Sequence, residues 1–317
     1  MLRGKEVKMP QGGHDAKSAG LSGGNPLAYA FAALAMVFWS GNWVLGRAVR
    51  ADIPPLGLNF WRWSTAAVVL LPFAISQARR DWPIVRRHWK IVLALSATGA
   101  SLFHGMVYIG LRATEVINAL LLNSIAPIMV VVLSWVVFRD TITRRQVFGI
   151  SVSLLGVLIL VARGDVAALA SLQFNSGDLW ILGALFVWGI YSILLKRRPV
   201  KLGGLSLLFY ICVAGVVLML PAYLWEYASG ARMALDVPTI ASAVYTGVFA
   251  SIAAYLCYNA AVARIGPNTT SFFLHLMPVF GAVLAIVFLG ETLRLYHLAG
   301  FVVVLCGIFL ATFRLKV

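Results

Sequence analysis

Residues 118–161, NALLLNSIAPIMVVVLSWVVFRDTITRRQVFGISVSLLGVLILV, form two long apolar runs joined by a short charged turn. The same pattern returns 151 residues later, at residues 269–312. At that offset the matching pairs are Pro127 with Pro278, Asp140 with Glu291, Thr141 with Thr292, Gly149 with Gly300, and Gly156 with Gly307. Apolar residues coincide by chance in such a chain, so the matched prolines, acids and glycines indicate an internal repeat.

Composition predicts the class of protein, because 61% of the residues are hydrophobic and only 12% are charged. A helix needs about 20 apolar residues to cross a bilayer. We therefore predict an all-α membrane protein with ten transmembrane helices. The ten apolar runs lie at about residues 26–46, 56–78, 91–111, 116–138, 146–162, 178–196, 204–225, 239–263, 268–289 and 295–313.

The ten runs divide into two sets of five. We predict a disordered cytoplasmic tail at residues 1–25, a first five-helix repeat at 26–163, a periplasmic linker at 164–177, a second repeat at 178–313, and a cytoplasmic tail at 314–317. A five-helix unit copied in tandem starts its second copy from the opposite face of the membrane. The repeats are therefore predicted to be inverted, as in many secondary transporters.

Positive charge predicts the orientation. On the ten-helix path, 19 of the 26 Lys and Arg residues fall on one side, 6 fall on the other, and Arg62 lies within a span. Cytoplasmic loops carry the excess of Lys and Arg, so both termini are predicted to be cytoplasmic, in a bacterial inner membrane. The net charge of +15 has the same origin, and we expect contact with the lipid bilayer and none with nucleic acid.

Several absences restrict the chemistry. The sequence has no G-x-x-x-x-G-K-[ST] loop, no H-E-x-x-H and no G-x-S-x-G motif. All eleven Asp and Glu residues fall in the tail, the loops or the span ends, so no carboxylate is placed to relay protons across the membrane. We expect that the protein is not an enzyme and that it holds no cofactor and no metal ion. We expect it to be a transporter with little ion coupling. A channel is the alternative.

A family resemblance rests on the motifs Phe38-Trp39-Ser40-Gly41-Asn42-Trp43, Tyr258-Asn259-Ala260-Ala261, Leu276-Met277-Pro278-Val279 and Leu289-Gly290-Glu291. These segments resemble the EamA-type half-repeat of the drug/metabolite transporter superfamily. The resemblance implies a ten-helix secondary transporter, often an exporter of amino acids or other small metabolites. A further similarity, to the YddG-like aromatic amino-acid exporters, implies that His104 and Trp188 line the cavity. The sequence departs from the pattern at Asn123-Ser124 and Arg139-Asp140.

Polar and aromatic residues within the spans are the candidate binding residues, because polar groups at membrane depth are costly unless paired or facing a cavity. His104 shares a helical face with Ser101 and Tyr108, and a neutral imidazole satisfied within helix packing is the alternative. Trp39 matches Trp188 at a shift of 149. The candidates are His104, Trp188, Trp39, Tyr108, Asn42, Tyr258, Asn259, Arg62, Tyr191 and His275.

Three features leave alternatives open. Arg62 either extends to the headgroups, meets a substrate carboxylate, or bonds an opposing carbonyl. Pro127 and Pro278 indicate either kinked helices beside a cavity or tolerated prolines. The glycine pairs Gly149/Gly156 and Gly300/Gly307 predict close helix packing.

The candidate cavity suits a small molecule with an aromatic or apolar part and a compact polar head. We predict export of neutral amino acids, aromatic ones included, and the alternative is a hydrophobic drug or nucleobase-like metabolite. The protein is expected to act as a monomer or weak homo-oligomer.

The orientation has a direct test. A reporter fused after Val317 is expected to read cytoplasmic, and one inserted near Ser229 periplasmic, because of the charge asymmetry. Opposite sides for the N- and C-termini would contradict the five-plus-five arrangement.

Overall fold

The computed structural model describes residues 25–49, 53–114, 119, 122–162, 165, 174–234, 236–289 and 292–312. Within these ranges the chain forms nine helical runs and no β-strand, which confirms the all-helical prediction. Both terminal tails and most of the predicted 164–177 linker lie outside the described residues. Seven helices of this described part are long and apolar enough to cross a membrane.

The helices are numbered in chain order. They are α1 (Pro26–Val49), α2 (Pro55–Arg87), α3 (Trp89–Ala113), α4 (Ala126–Phe138), α5 (Arg144–Val161), α6 (Ser176–Leu194), α7 (Gly204–Ala228), α8 (residues 237–289) and α9 (Leu295–Thr312).

Helix α8 changes geometry along its length. It comprises Val237–Tyr245, a π-helical segment Thr246–Ala253, then Ala254–Phe272, a 3₁₀ turn Phe273–His275 and a last segment Leu276–Leu289. Gly266 interrupts it with φ 79° and ψ 163°, a backbone conformation that glycine adopts without a Cβ clash. The predicted eighth and ninth spans therefore lie on either side of Gly266, within one helical run.

Short polar residues begin the first helix of each half. Asn25 accepts a hydrogen bond from the Ala28 amide at 3.1 Å, and Asn175, 150 residues later, accepts one from the Gly177 amide at 2.8 Å. Both side chains satisfy amides that have no partner within the helix. The repeat thus extends to the helix caps.

Helix α2 corrects one predicted boundary. The apolar runs at about 56–78 and 91–111 predict a charged loop at residues 79–90, but the helix continues to Arg87, and Arg79, Arg80 and Arg86 are exposed on it. Arginine is a good helix former, so a charged stretch ends an apolar run without ending the helix. The loop prediction is wrong for residues 79–87.

The prolines lie near the beginning of helical segments. Pro127 lies in the first turn of α4, and Pro278 follows closely after the 3₁₀ turn Phe273–His275. A proline fits a first helical turn because its missing N–H would have no partner there. The helical geometry therefore changes just before each proline, next to Ala126 and Met277.

Equivalent helices of the two halves pack antiparallel. A Cβ added to Gly149 of α5 would lie 2.7 Å from the Gly307 carbonyl, and one added to Gly156 would lie 2.9 Å from the Gly300 carbonyl of α9. The earlier glycine of α5 contacts the later glycine of α9, and the later one contacts the earlier one, so the two helices run in opposite directions. The predicted close packing at these glycines is confirmed.

Helices α2 and α7 form a second antiparallel pair. Glu226 of α7 accepts hydrogen bonds from the amides of Leu56 at 3.1 Å and Gly57 at 2.6 Å, in the first turn of α2. At the other end, Asp81 of α2 accepts one from the Gly203 amide at 3.4 Å. Each helix thus carries a carboxylate at the N-terminus of the other, where negative charge is stabilising.

Candidate functional site

The centre of the molecule is a cluster of aromatic side chains. The rings of Trp39 on α1 and Trp188 on α6 meet edge to face, with centroids 5.0 Å apart and an interplanar angle of 89°. Tyr258 on α8 lies 5.2 Å from Trp39 and 5.0 Å from Trp188, and Tyr255 packs against both. The two tryptophans that the repeat matches are therefore in direct contact.

A small cavity adjoins this cluster. Its volume is about 30 Å³, whereas roughly 10–15 Å³ is enough to hold one water molecule. The lining residues are Trp39, Asn42, Phe103, His104, Val107, Asn123, Ala126, Trp188, Leu274 and Met277. A site for a drug-sized ligand typically measures ~300–1,000 Å³, so this cavity is far smaller than such a ligand needs.

The cavity is lined by counterparts from both halves. Three equivalent pairs contribute, namely Trp39 with Trp188 (149 apart), Asn123 with Leu274 and Ala126 with Met277 (both 151 apart). A point that touches both members of several equivalent pairs lies at the interface between the repeats. That is the place where inverted-repeat transporters bind their substrates.

His104 lies in the cavity wall, as the sequence predicts. Its ring packs edge-on against Phe103 at 4.6 Å and against Trp63 at 5.9 Å. The Nδ1 atom is buried and has no hydrogen-bond partner in the described part of the chain.

Behind the wall, two tyrosines repeat one hydrogen bond. The Tyr108 hydroxyl donates to Asn42 Oδ1 at 3.3 Å, and the hydroxyls of Tyr258 and Ser192 lie 2.9 Å apart. Tyr258 follows Tyr108 by 150 residues, and Ser192 adjoins Tyr191, the residue that corresponds to Asn42 at the shift of 149 that relates Trp39 to Trp188. Each half therefore ties its third helix to its first through a tyrosine.

Tyr191 and Asn259 complete this second layer. The Tyr191 hydroxyl donates to Asn259 Oδ1 at 2.8 Å, and the Tyr191 ring packs 5.2 Å from Trp188. These two predicted site residues thus support the cavity wall without lining the cavity.

Arg62 is fully buried behind Asn42 and Tyr108, so it does not extend to the headgroups. Its Nη1 donates to the Tyr108 hydroxyl at 3.1 Å and to Asn42 Oδ1 at 3.4 Å. Its Nη2 donates to the Ala250 carbonyl at 2.9 Å. Of the expectations for this residue, the bond to an opposing carbonyl is the one observed.

Two π-helical segments supply carbonyl acceptors to the cluster. One is Ala97–Leu102 in α3 and the other is Thr246–Ala253 in α8. The Gly99 carbonyl accepts from the Tyr255 hydroxyl, and the Ala250 carbonyl, 151 residues later, accepts from Trp39 Nε1 at 2.9 Å. Single-turn π-bulges are frequent at functional sites. The sequence contains no pattern that predicts either segment.

His275 lies away from the cavity. Its Nδ1 is 2.8 Å from Ser153 Oγ and its Nε2 is 2.9 Å from the Ser124 carbonyl. Both ring nitrogens are therefore engaged in joining α8 to the segment before α4 and to α5, and the predicted site role is not supported by its position.

Six lining residues were not among the predicted site residues, namely Phe103, Val107, Asn123, Ala126, Leu274 and Met277. The five apolar side chains look like ordinary core residues in a membrane helix. Asn123 stood out in the sequence only as a departure from the family pattern.

None of the described residues that line the cavity takes part in an ion pair. The ion pair in the described part of the chain joins Lys196, after α6, to Asp140, between α4 and α5. Partial burial opposes ionisation of Asp140, but hydrogen bonds from Lys196 and Ser134 outweigh it, so its pKa lies below the ordinary value. The wall thus offers aromatic faces and neutral polar groups.

Comparison with known proteins gives a consistent result. The profile of the EamA-like transporter family matches residues 26–162 and again residues 175–313. The uncharacterized transporter YyaM of Bacillus subtilis is 25% identical over 277 residues, which cover 87% of this chain and 90% of YyaM. A probable terminal-alkyne amino-acid exporter of Streptantibioticus cattleyicolor is 27% identical over 289 residues, covering 89% and 92% of the two chains.

A solved crystal structure shares the fold. It superimposes with a TM-score of 0.72 at 17% sequence identity, over 90% of this chain and 96% of that one. At this identity the similarity concerns the fold alone.

The equivalent tryptophans make a matched test of the site. Trp39 Nε1 bonds Ala250, whereas Trp188 Nε1 makes no hydrogen bond of acceptable length and angle to any described residue. Trp39→Phe and Trp188→Phe remove the same side-chain volume, but only Trp39→Phe also removes a hydrogen bond. We therefore expect the free energy of unfolding of Trp39→Phe to be about 1 kcal/mol lower than that of Trp188→Phe, which is the net contribution of one hydrogen bond. Unfolding midpoints in detergent measure the difference, and equal destabilisation would contradict this geometry.

Proposed function

Because this chain belongs to the EamA-like transporter family, we propose that it is a secondary transporter that works by alternating access. It is a multi-pass membrane protein, and family members of this kind are transporters and not enzymes. The proposal adds that it exports small neutral metabolites such as amino acids, aromatic ones included. The observation that carries the proposal is the cavity lined by equivalent residues of the two repeats.

The proposed architecture has ten spans, in two inverted sets of five. Support comes from the antiparallel pairing of equivalent helices, α5 with α9 and α2 with α7. The two parts of α8 on either side of Gly266 count as separate spans. The proposed domains are residues 26–163 and 178–313, with both termini in the cytoplasm and the protein in a bacterial inner membrane.

Interrupted helices support the proposed placement of the site. Helix α4 begins at Ala126, and the last segment of α8 begins at Leu276 after its 3₁₀ turn. Ala126 and Met277, at the two beginnings, both line the cavity. Broken helices at the repeat interface are a common feature of transporter binding sites.

The proposed substrate class follows from the lining. Trp39, Trp188 and Phe103 provide aromatic faces, whereas Asn42, Asn123 and His104 provide neutral polar groups. An aromatic or apolar side chain fits the first set, and the head group of a neutral amino acid fits the second. The Streptantibioticus relative, termed a probable amino-acid exporter, is consistent with this class.

A second candidate has its own support. The lining holds no Asp or Glu, and an amino acid carries an ammonium group for which a carboxylate is the strongest partner. A hydrophobic drug or a nucleobase-like metabolite needs no such partner. We therefore retain that class as the alternative.

The proposal is tested with purified protein in proteoliposomes loaded with a labelled aromatic amino acid. Efflux is expected to saturate and to be accelerated by unlabelled substrate outside, because a carrier alternates whereas a channel does not. His104→Ala and Trp188→Ala are expected to weaken apparent affinity about tenfold, the loss of one aromatic or polar contact. Trp225→Ala, an exposed residue at the end of α7, is the matched control.

Two results would contradict the proposal. Lack of counterflow for every amino acid would refute the amino-acid class, and transport of nucleobases or drugs instead would favour the alternative. Unchanged affinity in both cavity variants would refute the site.

A further inference from the structure

Arg62 holds a positive charge among neutral oxygen atoms. Its four acceptors are Ser251 Oγ at 2.6 Å, the Ala250 carbonyl at 2.9 Å, the Tyr108 hydroxyl at 3.1 Å and Asn42 Oδ1 at 3.4 Å. No carboxylate from the described residues lies within ion-pair distance of it. A buried charge is costly unless hydrogen bonds satisfy it, so this arrangement has been built around the guanidinium.

The acceptors come from both halves of the molecule. Asn42 lies on α1, Tyr108 on α3, and Ala250 with Ser251 on α8, whereas Arg62 itself lies on α2. One guanidinium therefore ties four helices together beside the cavity, where Asn42 is also part of the wall. A group at this position is sensitive to any movement of one half against the other.

The π-helical segment Thr246–Ala253 supplies two of the four acceptors, the Ala250 carbonyl and the Ser251 hydroxyl. The Ala250 carbonyl also accepts a hydrogen bond from Trp39. The counterpart carbonyl, Gly99, meets the neutral Tyr255 hydroxyl. The counterpart of Arg62 itself, 149 residues later, is Ile211. The charge is thus an addition to one half only.

A backbone carbonyl, two hydroxyls and an amide oxygen form the kind of oxygen-rich ligand set that a hard cation takes. In many secondary transporters, unwound backbone carbonyls near the substrate coordinate a sodium ion or proton. We propose that Arg62 is a tethered cation, which occupies with its guanidinium the place of such a coupling ion and makes transport independent of sodium and proton gradients.

The chemistry of the guanidinium explains why transport is then independent of ion gradients. It does not deprotonate in proteins, and the covalent chain prevents it from leaving, so its charge is present in every state of the cycle. A cation that never dissociates links no ion gradient to the substrate. This inference rests on the proposed transporter function.

The test compares Arg62→Ala, Arg62→Lys and Arg62→Met with the unchanged protein. Thermal unfolding in detergent needs no substrate, and it is followed without additive, with low-millimolar guanidinium, with equimolar urea, and with sodium chloride. Urea has the shape of guanidinium without its charge, and choline chloride controls for ionic strength. Arg264→Ala is the matched variant, because Arg264 also donates to a carbonyl, at 2.9 Å, but is exposed.

We expect Arg62→Ala and Arg62→Met to lower the unfolding midpoint, and guanidinium or sodium, but not urea or choline, to raise the midpoint of Arg62→Ala. In proteoliposomes the same two variants are expected to lose about tenfold or more in transport rate, the loss of one charge-assisted hydrogen bond or more. Arg62→Lys is expected to lose less. The unchanged protein is expected to transport equally with and without sodium and pH gradients.

Three results would overturn the inference. They are unchanged stability and transport in Arg62→Met, equal rescue of Arg62→Ala by urea and guanidinium, and strict dependence of the unchanged protein on sodium or proton gradients. If no amino acid is transported but the cation-specific rescue of stability is observed, the substrate class fails and the tethered cation stands.

Discussion

The hydrocarbon core of a membrane offers no hydrogen-bond partner, so the backbone polar groups that lie there must be satisfied within the protein. This constraint explains the all-helical fold, and it explains the centre of the molecule equally well. Carbonyl groups of the two π-helical segments accept hydrogen bonds from the side chains of Trp39, Arg62 and Tyr255.

The same constraint shapes the symmetry of the site. A tyrosine bonded to a side chain of the first helix, and a π-helical carbonyl that accepts from a side chain, recur in both halves. Arg62 is where the symmetry ends, since Ile211 occupies the corresponding position. The positive charge is therefore present in one half only. The two sides of the cavity differ in charge although equivalent helices form them.

The sequence predicted the helices well because long apolar runs have few ways to fold in a bilayer. It also predicted that Trp39 and Trp188 line the cavity, since the repeat placed them at equivalent positions. The end of α2 was misjudged because charge marks the limit of the apolar core and not of the helix. His275 was misjudged because a buried histidine satisfied by Ser153 and Ser124 has the same sequence pattern as one facing a cavity.

The π-helical segments could not have been predicted, because a displaced hydrogen bond leaves no pattern in side-chain spacing. Phe103 and Val107 were missed for a related reason, since an apolar lining residue differs from a core residue only by what it faces. Such features depend on how the helices meet, and the internal repeat was the one source of that information in the sequence.

The central claim is that the two halves expose one cavity alternately to the two sides of the membrane. It is tested most directly by the accessibility of a single cysteine, Ala126→Cys, in a chain whose Cys212, Cys257 and Cys306 are replaced. Ala126 lines the cavity at the start of α4. A membrane-impermeant thiol reagent is predicted to label it in both right-side-out and inverted vesicles, with substrate slowing the labelling from each side. Labelling from one side only, whatever the substrate concentration, would contradict the account.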